Sequence, residues 1–420
     1  MPLRLNTSAN LADKEAFDAA MRRAVGSGRL ELANLPNPDQ ENYLSMLLRM
    51  GQTGASELAG YQLGQEKLGK ATPEAEVDLG IVDDMRMNAC VVGRGVDSCW
   101  IGITTGLSLT LSTIYNNIFR HRDLFRSIGD ASVERHDWPI LIDERGGYSS
   151  ASHDSEEINW EPSFEGDASS APPDRPTVRI RSMGQPIDPV RRAAYYVCLA
   201  VAWDAIVCHE IGHIVKGHLS LFEEDAQVQP LFEAPALNRA AALPTPVVQA
   251  LEIDADCHAA SVVWTRWGHS GDLLSYQASE SAIKDPSLQL RLWFIATNAL
   301  YWAFAGTSQT RISRYDGMTH PHPDVRLTVN GLFLNNFWRR LLSSDKQRIV
   351  DETWPMIVED IVSLRDVLHV LRDQNEDVER RRFLDPTYRG EIQERLTRLS
   401  EGQAELERMH RGAGGYPWWA

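Results

Sequence analysis

The five residues from His209 to His213 read His-Glu-Ile-Gly-His, and their types and spacing suit metal-assisted hydrolysis. In an α-helix, residues four positions apart lie on one face, so His209 and His213 can direct imidazole nitrogens at one ion. Glu210 is turned about 100° from His209, beside such an ion, where its carboxylate can act as a general base on a water molecule. Catalytic zinc sites use three protein ligands and a water. The segment therefore predicts a Zn2+ site with one protein ligand still to be found.

The residues around this segment indicate that its helix is buried. Val201, Ile206 and Val207 precede the motif, and Ile214 and Val215 follow it. Buried imidazole groups need partners, and a metal ion supplies one. The apolar flanks therefore favour a metal site over two histidines that merely pack or face solvent.

A third ligand from the same helix is disfavoured, because the next histidine would not lie on the face shared by His209 and His213. The metzincin pattern needs a third histidine six residues after the second, whereas His218 lies five residues after His213. Five residues of helix turn His218 roughly 140° away from the face of His213.

A second acidic segment, Glu252-Ile-Asp-Ala-Asp256, offers a better third ligand on a second predicted helix. Glu252 can complete the zinc site, while Asp256, one turn further on the same face, can accept a hydrogen bond from a ligand histidine. Asp254 and His258 remain adjacent alternatives for the ligand.

A third cluster, from Thr319 to Arg326, places prolines around His320 and His322. Prolines fix a rigid, non-helical turn. A rigidly held His320 can stabilise the oxyanion of a tetrahedral intermediate, and Arg326 can pair with a carboxylate to anchor the turn.

Composition limits the class of protein that can hold these residues. The chain has 420 residues with 43% hydrophobic and 24% charged residues, which is enough for a sizeable core. A formal net charge of −16 argues against nucleic-acid binding. No segment has the roughly 18–20 uninterrupted apolar residues of a membrane span, and the first residues do not resemble a signal peptide. Five cysteines without paired spacing favour reduced thiols and the cytoplasm.

The pattern along the chain suggests three parts. Residues 1–75 are expected to be an N-terminal helical segment, with helices at 16–25 and 41–50. Residues 76–345 would form the metal-binding domain, interrupted by a polar insertion at 128–182, and residues 346–420 a C-terminal helical region and tail. A hairpin is expected within 82–107 and a helix after it to residue 120; further helices are expected at 189–219, 288–305 and 330–342, and from Thr245. Near-heptad spacing in the C-terminal region permits a dimer through that helix, with the residues Ile392, Leu396, Leu399 and Leu406.

Four short stretches, taken in their order along the chain, resemble the gluzincin metallopeptidases. This family includes the HtpX heat-shock protease and the CaaX prenyl proteases. The family shows an Asn-Ala strand leading into a strand ending in Gly-Leu, a zinc helix, Glu-x-x-x-Asp, and His-Pro followed by Arg. The matching stretches here are Asn88-Ala89 with Trp100–Leu107, His209–His213, Glu252–Asp256, and His320-Pro321 with Arg326.

The resemblance implies a mainly helical α+β, zincin-like fold with an active-site helix and a small sheet. It also implies that zinc is bound by two histidines and a glutamate, that a second glutamate is the base, and that a third histidine stabilises the transition state. An edge strand of the sheet would hold an extended substrate by main-chain hydrogen bonds. The residues concerned are His209, His213, Glu252 (zinc), Glu210 (base), His320 (transition state), Asp256 and Arg326 (support of ligands), and Trp100, Ile101, Gly102 and Ile103 (substrate strand).

The expected function is therefore zinc-dependent endopeptidase activity on a protein or peptide substrate. Two alternatives remain: a non-catalytic zincin-like binding module, whose zinc would be closed by His218 or His322, and a triggered protease with one dedicated target. Familiar members of the family often carry transmembrane helices, and this sequence shows none, which argues against membrane-embedded or prenylated substrates. Aromatic residues 416–419 of the tail could also sit in the substrate groove.

Overall fold

The computed structural model describes residues 3–7, 14–30, 75–84, 88–93, 98–134, 185–216, 218, 230–232, 243–270, 283–305, 316, 320–341, 343–370 and 386–409. These ranges hold a small sheet and long helices, so the described part is α+β and mainly helical, as expected. The strands are β1 (Leu3–Thr7), β2 (Ala75–Val82), β3 (Ala89–Gly93), β4 (Ser98–Thr104) and β5 (Pro230–Phe232). The helices are α1 (Lys14–Val25), α2 (Thr105–Arg120), α3 (Pro189–Val215), α4 (Thr245–Ser270), α5 (Pro286–Ala305), α6 (Pro323–Leu341), α7 (Ser344–Val370) and α8 (Pro386–Met409), with a short 3-10 turn at Ala131–Val133.

The sheet has the strand order β1-β2-β4-β3-β5. β1 and β2 are parallel, β2 and β4 are parallel, and β3 pairs antiparallel with both β4 and β5. The hairpin predicted within 82–107 is the β3–β4 pair, and the predicted helix after it is α2. α2 follows β4 directly because Thr104 caps it, its hydroxyl accepting a hydrogen bond from the Leu107 N–H.

The prediction that β4 is an edge strand is wrong. Trp100, Ile101, Gly102 and Ile103 pair with β2 on one side and with β3 on the other. Because β4 has a hydrogen-bonded neighbour along each side, its backbone N–H and C=O groups are paired within the sheet and cannot bind an extended peptide. The outer strands of this sheet are β1 and β5.

The described N-terminal residues, 3–7 and 14–30, pack with the sheet. β1 extends the sheet beside β2, and α1 packs on one face of it through Phe17 and Met21, against Val82 and Val92. The helix predicted at 16–25 is confirmed as α1, whereas the helix predicted at 41–50 lies outside the described residues. Most of the predicted polar insertion at 128–182 also lies outside them.

α3 is the central helix of the described part. Asp188 caps its start by accepting a hydrogen bond from the Arg191 N–H, and Pro189 occupies its first turn, where no N–H is needed. By length and composition α3 could cross a membrane, but 94% of its most apolar window is buried inside the protein. Such burial is typical of a core helix.

Arg191 fixes the start of α3 to the segment 119–128, which includes the last residues of α2. Its side chain is fully buried and donates hydrogen bonds to backbone carbonyls of that segment, with the Glu134 carboxylate 3.9 Å away. One guanidinium thus binds five carbonyls, and two of them, those of His121 and Phe125, also accept a backbone N–H. The accepting carbonyls belong to Phe119, His121, Leu124, Phe125 and Ile128.

The C-terminal helices pack on the same core, which corrects two predictions. The boundary expected between residues 345 and 346 falls inside α7, and Ile357 and Leu364 of α7 are buried in the main core. The near-heptad stripe of α8 is also buried within the chain, so it is not available as a dimer seam. α6 begins at Pro323 rather than at residue 330, because a proline suits the first helical turn.

Candidate metal centre

Three buried donor atoms from α3 and α4 converge on one point. His209 Nε2 lies 3.0 Å from His213 Nε2. Glu252 Oε2 lies 3.3 Å from the first of these nitrogens and 3.8 Å from the second. All three side chains are at most 3% exposed. Among the described residues, these three form the group of histidine, cysteine and acidic side chains that could hold a metal ion.

The donor set fits zinc. Tetrahedral zinc with bonds of about 2.0–2.1 Å separates its ligand atoms by about 3.3 Å, close to the spacings found here. Two imidazole nitrogens and one carboxylate oxygen are also the ligand types of many catalytic zinc sites. Because the described group contributes three protein atoms, a tetrahedral ion would keep one position for water or substrate.

Gly212 allows α3 and α4 to approach closely enough for this convergence. A Cβ at this position would lie 3.1 Å from Ala255 Cα and 3.2 Å from His258 Cβ, both on α4. A Cβ at these distances would be in tighter contact than most side chains make, so the glycine of the motif suits the close packing of the two helices. The approach of the two backbones brings Glu252 to the histidines.

Asp256 and Arg326 orient His209 from the Nδ1 side of its ring, which faces away from the metal position. Asp256 Oδ1 accepts a hydrogen bond from His209 Nδ1 at 2.9 Å. Arg326 donates to both oxygens of the same carboxylate, from Nε at 2.8 Å and from Nη2 at 2.7 Å. Burial alone would raise the pKa of Asp256, but Arg326 and His209 outweigh it and hold that pKa below its usual value. The ionised carboxylate keeps a proton on Nδ1, so Nε2 of His209 is the atom left to bind a metal.

His320 approaches the third ligand rather than standing apart from the centre. Its Nε2 lies 3.0 Å from Glu252 Oε2, the oxygen that also faces the two histidines. Burial opposes ionisation of Glu252, yet His320 and His213 outweigh it and keep its pKa well below its usual value. The turn that carries His320 is fixed at the start of α6, where His322 Nδ1 accepts a hydrogen bond from the Asp324 N–H.

Glu210 is 1% exposed and lies near the sheet. Burial and, after it, the charge of Glu210 raise the pKa of the Cys90 thiol of β3 well above its usual value. The predicted base is therefore next to the ligand histidines along α3 and electrostatically coupled to the strand that packs beside this helix.

The alternative ligands considered from sequence lie elsewhere. His218 faces Nδ1 of His213, the ring nitrogen directed away from the metal position, at 2.9 Å. Asp254 contacts His218 and Lys216, and neither it nor His258 belongs to the group of convergent donors. His322 packs edge-on against Trp302, with ring centroids 5.4 Å apart.

Sequence reasoning missed the contacts that hold the supporting residues. The Tyr301 ring lies under the Arg326 guanidinium, 4.3 Å from its central carbon, and Tyr388 of α8 hydrogen-bonds Asp324 at the start of α6. No local sequence signal links residues so far apart along the chain. They are found only once the helices are packed.

Comparisons with known proteins return no match. No family model, no curated protein and no solved structure is detectably similar to this chain. The functional argument therefore rests on the geometry of the site and on the chemistry of its residues.

Proposed function

We propose that this protein is a zinc-dependent peptidase of the gluzincin type. The observation that carries the proposal is the convergence of His209 Nε2, His213 Nε2 and Glu252 Oε2 within 3.0–3.8 Å of one another. The mainly helical α+β architecture, with a buried helix bearing the motif beside a small sheet, is compatible with a zincin-like fold.

The chain's own residues would divide the work of amide hydrolysis. Glu210 takes a proton from water as the water oxygen bonds to the carbonyl carbon, and it returns that proton to the amine nitrogen as the carbon–nitrogen bond breaks. His320, held beside Glu252, would donate a hydrogen bond to the negatively charged oxygen that develops in between. A zinc ion in this site would supply Lewis acidity, which would polarise the carbonyl and make water more acidic.

The substrate would be a protein or an extended peptide in the cytoplasm. Because β4 is an inner strand, a peptide that adds to the sheet beside α3 would have to pair with β5 or take its place. β3 packs on α3, and its outer side is occupied by β5 in antiparallel register.

Zinc content and turnover together test the proposal. We expect about one zinc per chain in the wild type, a clear loss of zinc in Glu252→Ala, and full zinc with loss of peptide hydrolysis in Glu210→Gln. Zinc would be measured by elemental analysis, and hydrolysis with a mixture of quenched fluorogenic peptides. Glu352→Gln, an exposed glutamate of α7, is the matched control and should resemble the wild type.

Two results would contradict the proposal. One is a wild-type protein without zinc after expression with metal supplied. The other is a Glu210→Gln variant that cleaves peptides as fast as the wild type.

A further inference from the structure

The Nδ1 atoms of His213 and His209, which face away from the metal position, have different partners. Whereas Nδ1 of His209 meets a carboxylate directly, Nδ1 of His213 lies 2.9 Å from Nδ1 of another histidine, His218. The second ring is 1% exposed. Its other nitrogen, Nε2, lies 3.3 Å from Oδ2 of Asp254.

In the series of contacts from His213 through His218 to Asp254, the carboxylate of Asp254 determines which atoms donate and which accept. Asp254 also contacts the Lys216 ammonium at 3.3 Å, and an ionised carboxylate can only accept. His218 must therefore donate from Nε2, which leaves the lone pair of a neutral ring on its Nδ1. That lone pair accepts the Nδ1 proton of His213, and the lone pair of His213 is then on Nε2, the atom that faces Glu252.

We propose that His218 and Asp254 form a relay of hydrogen bonds that positions His213 as a metal ligand. His218 is then a positioning residue, and the two ligand histidines are supported differently: His209 by a carboxylate alone, His213 by a carboxylate acting through a second imidazole. His218 lies beyond the end of α3 at Val215, and its ring contacts that of His213.

The relay rests on the proposed zinc site, and its test measures zinc affinity rather than hydrolysis. Zinc would be titrated into the metal-free full-length chain in competition with a chromophoric chelator. His218→Leu, which fills space but cannot accept a hydrogen bond, should weaken zinc binding about 10–100-fold. Asp254→Asn should weaken it in the same direction, because the amide no longer fixes the proton on Nε2 of His218.

His218→Asn separates a positioning role from a packing role. The asparagine amide oxygen can take the place of Nδ1 and accept from His213, so this variant should keep more affinity than His218→Leu although it fills less space. If packing alone mattered, the order of the two variants would be reversed. His121→Gln is the matched control: it alters another buried histidine, near the opposite end of α3, and should bind zinc like the wild type.

The outcomes separate failure of the relay from failure of the proposed function. Wild-type affinity in His218→Leu, or an equal loss in His218→Asn and His218→Leu, overturns the relay and leaves the zinc site intact. A wild type that binds no zinc overturns the proposed function and the relay with it. Thermal unfolding of the metal-free variants shows which of them fold, and if His218→Leu does not, Asp254→Asn and His218→Asn carry the test.

Discussion

At the residue scale, the centre depends on buried charges that are each matched by a partner of fixed geometry. Asp256 is buried between His209 and Arg326. A buried carboxylate is tolerable only when its charge and lone pairs are satisfied. Arg326 meets both needs because its planar guanidinium binds the two oxygens at once and packs on the Tyr301 ring.

Arg326→Lys should therefore weaken zinc binding although it keeps the positive charge. A lysine ammonium cannot bind both oxygens in parallel or stack on the ring, so Asp256 would hold His209 less firmly. We expect a loss of about 10–100-fold in zinc affinity, measured by chelator competition. Arg348→Lys, at an exposed pair on α7, is the control, and an equal affinity in both variants would contradict the role of Arg326.

At the element scale, the site exists because helices from distant parts of the chain pack at close range. α3 carries two ligands and α4 the third, and Gly212 sets their approach. α8 packs in turn on the first turn of α4, where Gly402 leaves no room for a side chain: a Cβ there would lie 2.1 Å from the Pro246 carbonyl oxygen. The C-terminal helix is thus a support of the helix that carries Glu252.

Two glycine-to-alanine substitutions in α8 test this packing. Gly402→Ala should destabilise the protein by about 1–3 kcal/mol, because the methyl group meets backbone that cannot move without displacing α4. Gly390→Ala, in the same helix with open space around it, should stabilise the protein by about 0.5–1 kcal/mol through helix propensity. Chemical denaturation measures both values. Equal effects of the two substitutions would show that α8 does not rest on α4.

At the scale of the whole molecule, burial of titratable groups makes stability depend on pH. Burial and, after it, the Lys216 charge lower the pKa of His258 to about 4. The Asp254 carboxylate acts in the opposite direction, and His218 and His209 add to the lowering. The folded protein therefore holds His258 in its neutral form where the unfolded chain, with a pKa of about 6.5, would already bind a proton.

The sign of the effect follows from this difference. A group whose pKa is lower in the folded state stabilises the protein above the unfolded value and loses that contribution as pH falls through the folded value. The free energy of unfolding should therefore fall between about pH 6.5 and pH 4, by up to about 3 kcal/mol from this residue. Denaturation of metal-free protein across this range measures it, since zinc release then contributes nothing. His258→Gln should show a shallower fall, and parallel curves for the two proteins would contradict the prediction.

The sequence by itself determined the features that depend on local periodicity. Helix geometry alone places His209 and His213 on one face, and the same periodicity puts Glu252 and Asp256 on one face with Asp254 turned away from it. The helix predicted from residue 189 is α3, because the proline at this position suits a first helical turn. The extended residues around Gly93 determined the β3–β4 hairpin, because its two strands are neighbours in the chain.

Only the tertiary structure decided which elements lie side by side. Strand order in a sheet depends on distant partners, so the family resemblance implied an edge strand at β4, whereas the structure has β2 along its other side. The helical phase expected of His218 applied only while the helix continued, but α3 ends at Val215 and His218 contacts His213. The apolar stripe of α8 could pack on a helix of the same chain or of another chain. In the structure it packs on the core of its own chain. The local sequence determines on which face of a helix or strand a side chain lies. Burial of residues distant in the sequence determines which elements that face contacts.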